Sequence, residues 1–246
     1  MRDGDFRVRG KDISRIEGLS DAVFGFAITL LVVSLEVPKT AGEVLHAMRG
    51  FFAFAITFSL LFMVWRTQFT YFRRYGLEDN VTVGLTAVLL FTVLFFVYPL
   101  KFIFSTVVNS ALIRAGFPDP TAVHHVQPSD LETLFVAYGL GWSAVFGVFA
   151  FLYLHGYKLR DQLQLSPVEE FDTIESIWGA AGAVAGGLLI AVMNGVELLL
   201  PGRDDVIAYV FPVPIIVILG FSVRRRRTRK QRRAAVFAQL SHSTES

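Results

Sequence analysis

The sequence predicts an all-α membrane protein with six transmembrane helices per subunit. Three observations carry that expectation. Apolar residues make up 53% of the 246, phenylalanine alone occurs 24 times, and charged residues are 18%, against about 25% in an average soluble domain. Mean hydropathy is +0.52. The apolar residues gather in six runs of bilayer-spanning length. Positive charge is also distributed unevenly between the alternating loops.

Residues 1–14 read as a short charged cytoplasmic arm without the continuous apolar core of a signal peptide. The first helix is expected at 15–37. Arg15, Ser20 and Asp21 stand at its front, and Pro38 follows it. Charged groups at membrane depth cost several kcal/mol unless paired or wetted, so this trio is a functional candidate. Residues 38–44 are expected to form a turn.

The second helix is expected at about 45–72. It runs into Trp65, Arg66, Tyr71, Phe72, Arg73, Arg74 and Tyr75, an aromatic and basic group typical of a membrane–water interface. Residues 76–80 read as a turn and 81–105 as the third helix, with Pro99 inside it. The longest connection is expected at 106–129 and the fourth helix at 130–155. The fifth, about 173–200, holds Gly182 and Gly186 at a small-xxx-small spacing that lets helix backbones approach closely. The sixth, 206–223, contains Pro212 and Pro214 and completes a 15–223 transmembrane domain. The tail, 224–246, begins with eight Lys and Arg within ten residues.

Net charge is +2, but outside residues 224–233 the chain has 15 Lys+Arg against 21 Asp+Glu. Six spans place both termini on one side. That side carries the tail with Arg2, Arg7, Arg9, Lys11, Arg15, Arg66, Arg73, Arg74, Lys158 and Arg160; the other carries Lys39, Arg49, Lys101, Arg114 and Arg203. The positive-inside rule then predicts a multi-pass inner (plasma) membrane protein with cytoplasmic termini. Next to a membrane helix, the tail fits an anionic-lipid anchor better than a nucleic-acid site.

There is no cysteine, which excludes disulfides and thiolate chemistry. His124 and His125 near Asp119 and Asp130 lack the spacing of a metal site. Neither HExxH nor a paired-acid or Ser–Lys arrangement appears at depth, so no enzyme and no cofactor is expected.

The run Arg15-x-x-x-Leu19-Ser20-Asp21-Ala22-Val23-Phe24-Gly25-Phe26-Ala27-Ile28-Thr29-Leu30-Leu31-Val32 resembles the signature of the transmembrane protein 175 family, lysosomal potassium channels and their prokaryotic relatives. Ser59 to Phe72, with Trp65, resembles a second family segment, and Leu89-Leu90-Phe91 to Pro99 a third. Leu19 stands where the family has Phe. Where relatives carry a histidine shortly after the tryptophan, this chain has Thr67, Gln68 and Phe69, so a network built on that histidine is rewired, with Gln68 the candidate.

The resemblance implies a passive potassium-selective channel: a homotetramer of single-repeat subunits, with no TVGYG filter and a pore lined by the first helix. Potassium is then the permeant ion rather than a cofactor. The alternative is a secondary or proton-coupled transporter, which wants an ionisable site near mid-membrane. By helical spacing Asp21, Phe26, Thr29, Leu30, Val33 and Val37 lie near one face, a stripe that bundle packing alone also produces. The resemblance implies that Phe26 is the narrowest constriction, with Leu30 and Val33 the next apolar layers. It implies that Thr29 contributes to ion selection; the competing reading is that its hydroxyl bonds the carbonyl four residues back. Arg15, Ser20 and Asp21 are implied to form a structural network fixing the first helix. Arg15 and Asp21 lie about 120° apart on it and so must find partners on other helices.

Overall fold

The computed structural model describes residues 2–3, 6–33, 41–116 and 128–199, and side chains within 6–32, 50–116 and 130–199. Two short strands, β1 (Arg2–Asp3) and β2 (Phe6–Arg7), pair antiparallel with Arg2 opposite Arg7. They precede helices α1 (Arg15–Val33), α2 (Ala41–Tyr75), α3 (Asn80–Arg114), α4 (Pro128–Lys158), the single turn α5 (Arg160–Leu163) and α6 (Pro167–Leu199). Within α2, α3, α4 and α6, four stretches are long and apolar enough to cross a membrane. The sixth apolar run, 206–223, and the basic tail lie outside the described residues.

Several boundaries differ from those expected. Residues 41–44 are helix rather than turn, and 106–114 continue α3 rather than opening the loop. The polar stretch 156–171 contains α5 and the first turn of α6. At 35 residues each, α2 and α3 are ~52 Å long, well beyond a ~30 Å hydrocarbon core. Their ends therefore carry the polar and mixed sequence that a hydropathy window discards.

Helix starts follow local chemistry. Ser166-Pro167-Val168-Glu169 forms a capping box before α6: the Glu169 amide donates to Ser166 Oγ at 3.4 Å, and the Ser166 amide donates to Glu169 Oε2 at 2.9 Å. Ser14 caps α1 by accepting the Glu17 amide at 3.1 Å.

Helices α4 and α6 pack face to face along a small-residue stripe. The stripe is not Gly182–Gly186. It is the buried series Ala183, Gly187 and Ala191. A Cβ built on Gly187 would lie 2.7 Å from the Gly139 carbonyl oxygen and closer still to Ser143 Oγ, whereas one on Gly182 meets nothing within 4 Å. Trp142 and Ser143 exploit this approach by donating to the α6 carbonyls of Ala183 and Val184, each at 3.1 Å.

The larger core cluster joins α1, α2, α3 and α4 through Phe24, Ala27, Leu31, Tyr71, Tyr75, Leu89, Phe149 and Leu152. Tyr71, Phe72 and Tyr75, expected in an interfacial belt, are instead buried in this core.

Candidate functional site: the two faces of α1

Helix α1 divides cleanly into two faces. Glu17, Ser20, Phe24, Ala27 and Leu31 recur every three or four residues and are buried against the rest of the subunit. The opposite face presents Gly18, Ala22, Gly25, Phe26 and Thr29 outward. Phe26 is 57% exposed, as is Leu19 at 55%. Leu30 is half-buried at the border, and the Val33 side chain lies outside the described residues. Of the expected stripe, Phe26 and Thr29 therefore share the outward face with Asp21, while Leu30 stands at its edge. Thr29 Oγ1 donates to the Gly25 carbonyl at 2.9 Å. That uses its proton and leaves the oxygen lone pairs unengaged by it.

The polar residues at the front of α1 sort differently from one another. Asp21 Oδ1 accepts the Trp65 indole N–H at 2.8 Å, linking α1 to α2. Ser20 Oγ donates to the Ile16 carbonyl at 2.7 Å and accepts from Gln68 Nε2 at 3.1 Å. Gln68, the expected candidate, is almost wholly buried. Its Oε1 has no hydrogen-bond partner among the described residues. Arg15 is exposed. Its guanidinium makes no ion pair among the described residues, so of the expected trio Ser20 and Asp21, not Arg15, tie α1 to α2.

Sequence reasoning passed over a second set of contacts. The buried Glu17 carboxylate lies 3.5 Å from the Arg73 guanidinium. Glu169 accepts from Arg9 Nη2 at 2.8 Å and from the Arg7 amide at 2.6 Å. His155 Nε2 and Asp79 Oδ2 are 2.7 Å apart, and Thr82 Oγ1 donates to Asp79 Oδ1 at 2.6 Å. Burial acts to raise the Asp79 pKa, but the bonds from Thr82 and His155 outweigh it and hold the carboxyl below its ordinary value. The signal for two of these ties was present: Ser14-x-x-Glu17 and Ser166-x-x-Glu169 both read as helix starts. Neither motif names the arginine that binds its glutamate.

On the outer side of α2, Phe54, Phe58, Phe62, Trp65 and Phe69 form a ladder of rings with successive centroids 5.3–6.3 Å apart. The ladder passes through the tryptophan that holds Asp21, so the ladder and the outward face of α1 meet at Trp65.

Comparison with known proteins identifies the family. The family model described as endosomal/lysosomal potassium channel TMEM175 matches residues 15–96, which span α1, the Trp65–Gln68 segment and the first half of α3. A potassium channel of Marivirga tractuosa is 35% identical over 234 residues, covering 93% of each chain. The solved structure of a variant of the potassium channel MtTMEM175, bound to a nanobody–MBP fusion, superposes with a TM-score of 0.78 at 32% identity, covering 91% of this chain and 97% of that one. A TMEM175 homologue from Chamaesiphon minutus, 19% identical, shares the fold with a TM-score of 0.54. The chain is a membrane protein of the TMEM175 potassium-channel family and not an enzyme.

Proposed function

We propose that the chain conducts potassium passively and selectively through a four-fold pore lined by α1 from each of four subunits. The observation that carries this reading is the division of α1. An apolar helix leaves Phe26 and the Thr29 hydroxyl outward while its other face is sealed into the subunit. Phe26 forms the narrowest ring, with Leu30 and Val33 as further apolar layers. A ring of that kind closes a pore by dewetting rather than by charge. Thr29 supplies hydroxyl oxygens between the layers. Because each proton is committed to Gly25, the oxygens face a permeating cation as acceptors. Names of the relatives support the ion: two of them are potassium channels at 35% and 32% identity.

In this reading both termini are cytoplasmic, in the inner membrane of the cell. The six-span unit is completed by 206–223, and the tail from Arg224 binds anionic lipid rather than nucleic acid. Ser20 and Asp21 fix the rotation of α1 through Gln68 and Trp65, and Arg15 acts at the cytoplasmic mouth.

Purified protein in liposomes under a potassium gradient tests the proposal. Phe26→Ala is expected to raise passive potassium flux at least about tenfold, and Thr29→Val to lower potassium-over-sodium discrimination. Flux indifferent to Phe26, or flux that requires a second coupled ion, refutes the channel and favours a transporter.

A further inference from the structure

The segment before α1 is held down at both of its edges. The Arg73 carbonyl accepts the amides of Arg9 at 3.1 Å and Gly10 at 3.3 Å. The Arg73 guanidinium returns the grip: Nη1 donates to the carbonyls of Gly10 at 3.0 Å and Lys11 at 3.1 Å. Its Nη2 lies 3.5 Å from Glu17 Oε1. Phe69 stacks beneath the guanidinium at 5.2 Å. Two glycines make the crossing possible. Gly76 has φ +61°, and a Cβ on it would sit 2.9 Å from the Gly10 nitrogen; a Cβ on Gly10 would collide with the Phe72 carbonyl. On its far edge the segment is pinned to α6 by Arg9 and Glu169.

We propose that Arg73 is a positioning residue for α1. Its guanidinium clamps the strap Arg9–Lys11 and Glu17 together at the end of α2, and so sets the tilt and order of the first turns of α1. The consequence for conduction rests on the reading that α1 lines the pore; the clamp itself does not. The planar fork of arginine reaches carbonyls and a carboxylate at once, which the point charge of lysine does not. Glu17 is nearly buried, so losing its cation leaves a poorly solvated carboxylate unpaired. Phe26 stands nine residues along the same helix, ~14 Å up the axis, so a change of tilt at Glu17 is carried to it.

The chain has no native cysteine, so Gly18→Cys gives a unique site for a nitroxide label. A Cβ there meets nothing within 4 Å. The labelled, assembled protein is reconstituted in liposomes for its spectrum, and potassium flux is measured separately on the same variants with Gly18 left in place. Arg73→Gln is expected to mobilise the label and to change flux at least threefold. Arg73→Lys, which keeps a charge for Glu17, restores part of the order. Gly10→Ala, which drives the strap off α2 with the guanidinium intact, reproduces Arg73→Gln. Should Arg73→Gln fail to fold, Glu17→Gln and Gly10→Ala decide the question by the same spectrum. An unchanged spectrum, or a Gly10→Ala spectrum that matches the unsubstituted protein, overturns the clamp. A mobilised label with unaltered flux keeps the clamp and counts against the pore reading, which flux insensitive to Phe26 refutes separately.

Discussion

Asp21 and Trp65 are each ordinary residues for the end of a membrane helix until the bond between them is seen. The indole donates to a charged acceptor at 2.8 Å, a class of bond that contributes about 1.5–3 kcal/mol. Asp21 is exposed in the chain, so the low end applies, because water competes for the carboxylate. Trp65→Phe is expected to destabilise the protein by about 1 kcal/mol, and Asp21→Ala, which removes the acceptor, by a similar amount. The double variant should cost no more than either alone, since each single change already breaks the same bond; thermal unfolding in detergent of the four proteins measures the coupling. Additive losses would show that the bond does not hold α1 to α2. Asp21 and the Trp65 segment were legible in the sequence because both sit in family motifs. Their partnership was not, because it spans 44 residues and depends on the rotation of two helices. Gln68 stands out in the sequence as a polar residue within an apolar helix, and the structure supplies its partner, Ser20.

At the scale of elements, α4 and α6 show why a spacing motif alone misplaces an interface. Small-xxx-small runs overlap along α6: Gly182 and Gly186 form a short one, and Gly179, Ala183, Gly187, Ala191 and Gly195 a longer one that the expectation passed over. The structure selects the one containing Gly187, because Trp142 and Ser143 on α4 reach the carbonyls beside it. Gly187→Val places a side chain against Ser143 and the Gly139 carbonyl. Overpacking of this kind costs about 1–3 kcal/mol. Gly182→Val, on the open face, is expected to change stability by less than about 0.5 kcal/mol. Equal thermal shifts for the two variants would contradict the stripe as assigned. The helices themselves were legible as apolar runs, whereas their ends were not. A hydropathy pattern stops where the polar residues begin, while the backbone hydrogen bonds of α2 and α3 continue past it.

Among the described residues, polar ties link one end of each long helix: Glu17 to Arg73, Glu169 to Arg9, and Asp79 to His155. The last joins the turn before α3 to the end of α4 and is the exposed one of the three, with the Asp79 side chain 39% accessible. Its carboxyl has a pKa below the ordinary value in the folded protein. Its contribution is therefore fully present above the unfolded-state pKa and is lost as the pH falls through the lower folded-state value. Asp79→Asn should lower the melting temperature at neutral pH, by the equivalent of about 0.2–1 kcal/mol once solvent screening is allowed for. The gap to the unsubstituted protein should close in strong acid, below both values. A gap that persists there would assign the effect to packing rather than charge.

The sequence by itself determined that the chain is a membrane protein, where most of its helices run, and which family it belongs to. Those properties are local: apolar run length and a contiguous motif at the start of α1 are written in neighbouring residues. Only the tertiary structure decided which face of α1 turns outward, which small-residue stripe closes on α4, and which arginine holds Glu17 and which Glu169. These are pairings between residues far apart in the chain, 48 for Gln68 and Ser20 and 160 for Arg9 and Glu169. They are fixed by the rotation and height of packed helices, and a pattern along one strand of sequence does not encode those quantities.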